Sequence, residues 1–300
     1  MIKIGTYMIK DALLSPEERL RMVKEVGFDF VCFSMGSMLA GETVGFTPSL
    51  CEKVGIAFDN VHLTGKGTHA MWAEGSEGDA IADRYCNEIA LCSDYGVKTG
   101  IMHVTWGVRL PPLVGEVGLR RFERVAACAE KHGFTLALEN SVSDTNLCYV
   151  LDRIQSPYVG FCFDSGHHSA FAPDADFLGK YGNRLVATHL QDNNGREDLH
   201  LMPLDGCIDW KRIASQLAKS PFAREQICGE VSGIVVRESD KTAAEIAESL
   251  SCISALKQGL VTVEEGCFSV YKGFSYEELL ERLYRNLRTV ASYMESSLES

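Results

Sequence analysis

The sequence predicts a single (β/α)₈ barrel, and three observations agree on this fold class. Eight short apolar runs are separated by stretches with helical spacing of apolar residues; strict alternation of β and α elements favours parallel strands joined by right-handed crossovers. The runs are almost continuously apolar, as strands covered on both faces need to be. A length of 300 residues suits one α/β barrel. The predicted strands are residues 2–7, 28–33, 57–62, 99–104, 134–139, 159–164, 185–190 and 226–231.

Helix-start and helix-stop signals lie between these strands. Ser15 is followed by a proline and two glutamates, which is typical of an N-cap, and Gly27 ends the predicted helix. Further helices are predicted over residues 79–95, 118–132, 209–219 and 275–294. Residues 232–274 form an insertion between the eighth strand and the last helix, and we expect an extra helix over 241–257 in it. We expect residues 1–300 to form one domain.

Charge and composition narrow the class of protein. The formal net charge of −12 argues against a default affinity for nucleic acid or an anionic membrane. The N-terminus is too short and polar for a signal peptide, and no apolar run reaches membrane-spanning length. Eleven cysteines are scattered without a CxxC pair, so neither a zinc ribbon nor a disulfide framework is indicated. A soluble protein of the reducing cytoplasm is therefore expected.

Six of the eight predicted strands end in a side chain that is able to bind a metal. These residues are His62, His103, Glu139, Asp164, His189 and Glu230. Any one of them has an ordinary alternative, a hydrogen-bonded histidine or a helix-capping carboxylate. Glu139, Asp164 and His189 follow one another at intervals of 25 residues, the length of one β/α unit. Because barrel active sites lie at the C-terminal ends of the strands, the set predicts carboxylates in one crevice, which need a cation.

Two local motifs add further polar residues. Asp164 is followed three residues later by His167, and Asp198 and His200 lie in the loop after the seventh predicted strand. Glycine-rich phosphate-binding signatures and the Gly-x-Ser-x-Gly elbow are absent from the sequence.

Four segments resemble the xylose-isomerase-like barrel superfamily. They are LALEN at the fifth strand, FCFDSGHH at the sixth, ATHLQDN followed by DLHLMPLDGCIDW at the seventh, and ICGE at the eighth. This superfamily contains sugar and sugar-phosphate isomerases and epimerases together with endonuclease IV. The resemblance extends from Lys3 to the helix over 271–294. It implies a metal-dependent sugar or sugar-phosphate isomerase or epimerase.

Similarity to the ketose epimerases of this superfamily implies one divalent ion, either Mn²⁺, Mg²⁺ or Co²⁺, with Zn²⁺ as the alternative. The implied ligands are Glu139, Asp164, His189 and Glu230. Glu139 and Glu230 would also exchange protons with the sugar through an enediolate. His167 would hydrogen-bond a substrate oxygen, and Arg196 is a candidate for a substrate oxygen or phosphate. Return of the proton to the same or the neighbouring carbon separates epimerase from isomerase.

The resemblance to endonuclease IV implies an alternative hypothesis, a trinuclear-zinc phosphodiesterase that acts on abasic DNA. Its ligand set maps onto His62, His103, Glu139, Asp164, His167, His189, Asp198, His200 and Glu230. The acidic charge balance weighs against that reading. A related sugar lyase or dehydratase is a further alternative, and so is a non-enzymatic sugar-binding protein. The chain departs from some isomerases where Phe33, Ser34 and Met35 stand without an acidic residue. The sequence does not determine which sugar is bound, whether that sugar is phosphorylated, or whether the chain forms a homo-oligomer.

Overall fold

A barrel of eight parallel strands forms the centre of the molecule. The computed structural model describes residues 1–11, 13–36, 47–107 and 113–299. The strands pair in the order β7-β6-β5-β4-β3-β2-β1-β8, and a parallel bridge between Leu190 and Gly229 closes the barrel. Their bounds are β1 Lys3–Tyr7, β2 Phe30–Ser34, β3 Ala57–His62, β4 Thr99–His103, β5 Thr135–Glu139, β6 Val159–Asp164, β7 Leu185–His189 and β8 Gln226–Gly229. The (β/α)₈ prediction is confirmed, with each strand shifted from its predicted ends by no more than two residues.

Helices cover the outside of the barrel between successive strands. Their bounds are α1 Pro16–Val26, α2 Pro48–Val54, α3 Ser76–Asp94, α4 Glu116–Lys131, α5 Asp144–Arg153, α6 Ser165–Phe171, α7 Phe177–Tyr181, α8 Trp210–Leu217, α9 Ala243–Ser249, α10 Ser254–Lys257 and α11 Tyr276–Glu299, with short 3₁₀ helices at Thr68–Trp72 and Gly182–Arg184. The capping signal at Ser15 is confirmed, because its side chain accepts from Glu18 N and Glu18 caps Ser15 in return. Gly27 ends α1 in the left-handed conformation.

The strand registers place the ends of neighbouring strands at the same height. His103 pairs with Glu139, and Asp164 pairs with His189. Side chains two residues apart point to the same side of a strand. A separate small cluster inside the barrel consists of Ile101, Ala137, Cys162 and Ala187. Each of these residues lies two positions before one of the four strand-end residues, so the polar side chains form the next layer of the barrel interior, above an apolar layer.

The insertion over 232–274 differs from the single helix that the sequence predicted over 241–257. It contains a three-stranded antiparallel sheet, with β9 at Val235–Glu238, β10 at Val261–Glu264 and β11 at Cys267–Val270, in the order β10-β11-β9. Two short helices, α9 and α10, replace the one expected. The helical spacing of apolar residues runs through a turn at 250–253, where the chain changes direction. The fold is therefore a barrel with a mixed α/β insertion.

None of the helices in the part of the chain that the structure describes is both long enough and apolar enough to cross a membrane.

Candidate metal centre

The centre of the polar layer is a group of four side chains from four strand ends. One donor atom from each of Glu139, Asp164, His189 and Glu230 lies within 4.8 Å of all the others. His189 Nδ1 is 2.8 Å from Glu139 Oε1 and 3.0 Å from Glu230 Oε2. Glu139, Asp164 and His189 are completely buried. These are the four residues that the resemblance implied as ligands, and the structure brings them together.

Backbone contacts fix the orientation of Asp164. Its Oδ1 accepts a hydrogen bond of 2.6 Å from His167 N and so caps α6, while Oδ2 lies 3.6 Å from His167 Nδ1. Asn140 clamps the Asp164 backbone from the neighbouring strand end: its Nδ2 donates to Asp164 O, and its Oδ1 accepts from Asp164 N, both at 2.8 Å. The carboxylate is therefore held by the local chain and still presents one oxygen to the centre.

Glu139 is shared between two sides of the centre. Its Oε1 faces His189, and its Oε2 lies 3.2 Å from His62 Nε2 and 2.9 Å from His103 Nε2. The His62 ring is oriented by a contact of 2.8 Å between its Nδ1 and Leu63 O. Glu139 is thus enclosed by imidazoles, and it belongs to three groups of side chains that could each hold a metal ion.

A second donor group lies outside the first. His167, Asp198 and His200 meet there, with Asp198 Oδ2 at 3.3 Å from His167 Nε2 and 3.2 Å from His200 Nε2. Gln191 holds this group in place, because its Nε2 donates to Asp198 Oδ1 at 2.7 Å and its Oε1 accepts from His200 N at 3.2 Å. His200 has a left-handed backbone with φ 49°.

The burial of these groups and their mutual contacts change their proton affinities. Burial raises the pKa of Asp164 to about 7, and the Glu139 and Glu230 carboxylates act in the same direction. Burial alone would also raise the pKa of Glu230, but the neighbouring His189 outweighs it and lowers the value to about 2. Burial would lower the pKa of His200, but Asp198 raises it to about 9. Without a bound cation, the centre therefore holds carboxylates and protonated imidazoles in contact.

An open pocket of about 370 Å³ leads to the centre. Its lining includes the two donor histidines His62 and His103, the outer donor group, and Glu230. Trp106 forms an apolar wall: its ring centroid lies 5.6 Å from that of His103, and the residue is 40% exposed. Trp106 also packs on Gly65, where a Cβ atom would lie 2.4 Å from the indole. Among the described residues of the lining, none is a lysine or arginine.

Arg196 does not join the site. It is exposed in the loop after β7, and it is not among the residues that line the pocket. The remaining predicted site residues all lie in one of the two donor groups or beside Glu139.

Asn140, Gln191 and Trp106 were missed as functional residues in the sequence. Asn140 and Gln191 each follow a strand-end ligand within two positions, in LALEN and ATHLQDN, and that proximity was the available signal. Trp106 follows His103 by three residues, but no pattern in the sequence connects it to Gly65.

A family model described as a xylose isomerase-like TIM barrel matches residues 20–233 of the chain. The uncharacterized protein y4fM of Sinorhizobium fredii is 27% identical over 243 residues, which cover 68% of this chain and 77% of that protein. The structure of D-psicose 3-epimerase from Clostridium cellulolyticum with D-tagatose is 14% identical, with a TM-score of 0.66 over 98% of this chain and 99% of that chain. The IolI protein with a bound zinc atom is 14% identical, with a TM-score of 0.68 over 97% of this chain and 98% of that chain. At these identities the two solved structures establish similarity of fold alone.

Proposed function

Because the chain belongs to the xylose isomerase-like TIM barrel family, we propose that it is a divalent-metal-dependent enzyme that isomerises or epimerises a sugar. One observation carries the proposal: donor atoms of Glu139, Asp164, His189 and Glu230 converge within 4.8 Å, and Glu230 lines an open pocket beside them. Active sites of this barrel type lie at this end of the strands. The comparisons agree with the reaction class, since D-psicose 3-epimerase has the same fold.

The four side chains fit a divalent cation. Burial and the two neighbouring carboxylates raise the pKa of Asp164 to about 7. A cation bound at this point would offset the repulsion between the carboxylates. Three carboxylates and one imidazole suit Mn²⁺, Mg²⁺ or Co²⁺, and Zn²⁺ also accepts such donors. IolI binds zinc on the same fold. When bound, such an ion polarises the carbonyl and the adjacent hydroxyl of the sugar.

Glu230 is the side chain best placed to move a proton. It lines the pocket with 18% of its side chain exposed, and its pKa is lowered to about 2, so that it is ionised at neutral pH. It would take the proton from the carbon between the carbonyl and hydroxyl groups and leave an enediolate. Glu139 has no exposed side-chain surface and contacts His62, His103 and His189. Its contacts support a ligand role; its second role in proton transfer stays a prediction.

The pocket chemistry favours a sugar without a phosphate group. Trp106 offers an aromatic face to the C–H groups of a sugar, while the imidazoles offer hydrogen bonds to its hydroxyl groups. Lysine and arginine are the usual phosphate-binding side chains, and neither is found among the described lining residues. We therefore propose a free ketose as substrate, with His167 as a donor or acceptor for one of its oxygens.

A phosphodiesterase with several zinc ions is the second candidate, and one observation favours it. The outer group of His167, Asp198 and His200 has metal-ligand geometry of its own, and Glu139 contacts histidines on two sides. The charge of −12 and the lack of lysine and arginine in the described lining oppose binding of a DNA backbone.

A panel of free and phosphorylated ketoses tests the proposal. The protein is stripped with a chelator, reloaded separately with Mn²⁺, Co²⁺, Mg²⁺ or Zn²⁺, and assayed for epimerised or isomerised products by chromatography. We expect turnover of a free ketose that is lost on chelation and restored by metal. Cleavage of an abasic-site duplex by a protein carrying three zinc ions, with every ketose unchanged, would replace the proposal with the second candidate.

A further inference from the structure

Two of the eleven cysteines differ from all the others by being exposed. Cys207 and Cys252 are exposed, and the remaining nine, all within the described residues, are buried or partly buried. Cys207 lies in the segment after β7, shortly after Asp198 and His200. Cys252 lies in the insertion, between α9 and α10. Although 45 positions separate them in the chain, both line the same surface groove of about 350 Å³.

Backbone hydrogen bonds hold the two segments that carry these cysteines side by side. Ala255 N donates to Asp205 O at 2.8 Å, and Ser254 N donates to Gly206 O at 3.0 Å. The two segments therefore run antiparallel, and continuing this pairing by one residue brings Cys207 to Ile253, the neighbour of Cys252.

The side chains of the two cysteines also converge on the same turn. Cys252 Sγ lies 3.5 Å from Asn194 O, and a Cβ atom built on Gly195 would lie 3.4 Å from Cys207 Sγ. The two thiols thus contact successive residues of one turn, and backbone hydrogen bonds join the segments that carry them. A disulfide requires two cysteines that are held close together in this way.

We propose that Cys207 and Cys252 form a reversible intramolecular disulfide that ties the insertion to the loop carrying Asp198 and His200. The oxidant is a low-molecular-weight disulfide such as oxidised glutathione. One cysteine thiolate attacks it, forms a mixed disulfide and releases one glutathione thiol. The second cysteine then displaces the other glutathione. In total, two protein thiols are converted into one S–S bond, and one oxidised glutathione is converted into two molecules of reduced glutathione. The proposal does not depend on the proposed enzyme function.

The rate of this exchange should be low at neutral pH. Although Cys207 is exposed as a residue, the surrounding protein partly desolvates its thiol and raises its pKa to about 12, and the neighbouring Cys252 thiol and the Asp192 carboxylate act in the same direction. Because the thiolate is the attacking species, the reaction should accelerate as pH rises. The disulfide would close a ring that contains β8 and part of the insertion, and it would restrain the 198–208 loop from its C-terminal side.

Thiol mapping after oxidation tests the proposal. The reduced, desalted full-length protein is incubated with oxidised glutathione at pH 8.5, quenched with an alkylating reagent and digested for mass spectrometry. We expect a single cross-linked peptide pair containing Cys207 and Cys252, in monomeric chains, that disappears after dithiothreitol. Hydrogen–deuterium exchange of residues 198–208 should be slower in the oxidised protein.

Matched serine variants complete the test. Cys207→Ser and Cys252→Ser should each abolish the cross-link, whereas Cys128→Ser should leave it intact, since Cys128 is partly buried and donates to Cys86 O at 3.6 Å. Separate alkylation or stable glutathionylation of both cysteines would overturn the proposal. A cross-link that leaves exchange of residues 198–208 unchanged would overturn the claim that it restrains the loop.

Discussion

Glu139 Oε1 lies 2.8 Å from His189 Nδ1, and neither side chain has any exposed surface. One residue ends β5 and the other ends β7, so the pair joins the two strands that flank β6. A buried carboxylate in contact with an imidazole is costly to desolvate, and it is tolerated where both partners gain further charge contacts. Here both also face Glu230 and Asp164.

Substitutions at the four inner ligands should separate proton transfer from metal binding. Glu139→Gln and Glu230→Gln should each lower kcat by at least about 100-fold, since each removes a charge and a general base. Asp164→Asn and His189→Ala should chiefly weaken metal binding. Elemental analysis and steady-state kinetics on the same preparations measure both effects. Glu123→Gln, an exposed glutamate on α4, is the matched control. Full activity in either glutamine variant at the centre would contradict the assignment.

His62→Ala and His103→Ala distinguish a substrate pocket from a metal cluster. Both histidines line the pocket and contact Glu139. If one ion binds at the inner group, each substitution should raise KM severalfold with the metal content unchanged. His132→Ala, at the end of α4, is the control. Loss of bound zinc in the His62 or His103 variant would support the polynuclear alternative, because imidazole is a preferred zinc donor.

Metal binding should release protons, and its affinity should rise with pH. In the metal-free protein, Asp198 raises the pKa of His200 to about 9 against the effect of burial, and the pKa of His167 is likewise raised well above its ordinary value. Protonated His167 and His200 repel a cation at the neighbouring inner group, so its affinity should increase as pH rises from 6.5 through 9. Calorimetry in buffers of different ionisation enthalpy measures the protons released. A binding enthalpy that does not depend on the buffer would contradict this prediction.

The same raised pKa values predict how the stability of the metal-free protein depends on pH. A histidine whose folded pKa exceeds its unfolded value stabilises the fold fully below the unfolded value of about 6.5. The contribution of His200 is therefore lost as pH rises through about 9. Urea unfolding of the stripped protein at pH 6.5 and 9.5 checks the sign, and greater stability at the higher pH would be the opposite result.

A buried ion pair between the last helix and the ligand loop should be essential for stability. Asp205 is 1% exposed and accepts 2.8 Å hydrogen bonds from Arg282 Nε and Tyr271 Oη, while Tyr271 Oη accepts from Met202 N, two residues after His200. Asp205→Asn should cost about 3–5 kcal/mol, because it leaves the Arg282 charge without its partner. Tyr271→Phe should cost about 1 kcal/mol.

Tyr276→Phe is the matched control for the tyrosine variant, since Tyr276 is also buried and its hydroxyl makes a long contact of 3.4 Å with Ile9 O. Urea denaturation compares the three variants with the wild type. An Asp205→Asn protein as stable as the wild type would show that the ion pair is not needed.

The barrel and the inner donor group could be predicted because both follow from short periodicities. Side chains in strands alternate with a period of two, so a polar residue at the end of each apolar run must lie near the others once the barrel closes. His103 beside Glu139 and Asp164 beside His189 are the direct result of that register. The LALEN and FCFDSGHH motifs marked the same positions.

The features that were not predicted depend on contacts between distant segments. The hairpin of β10 and β11 has a sequence signal, Glu265-Gly266 between two alternating runs, but the helical spacing of apolar residues before it is the stronger pattern. The enclosure of Glu139 follows from the ring orientations of His62 and His103, which sequence spacing does not determine. Trp106 became part of the pocket only because Gly65, in another loop, leaves room for its indole.

Hydrogen exchange with solvent during turnover tests the central claim most directly. The metal-loaded protein is incubated in D₂O with a free ketose that it converts, and the product and recovered substrate are examined by NMR. Proton transfer through Glu230 predicts deuterium at the carbon that loses its proton, because the carboxylate exchanges with solvent before the proton returns. Rapid conversion to a product without deuterium would contradict the account, since it would require direct transfer of hydrogen between carbons.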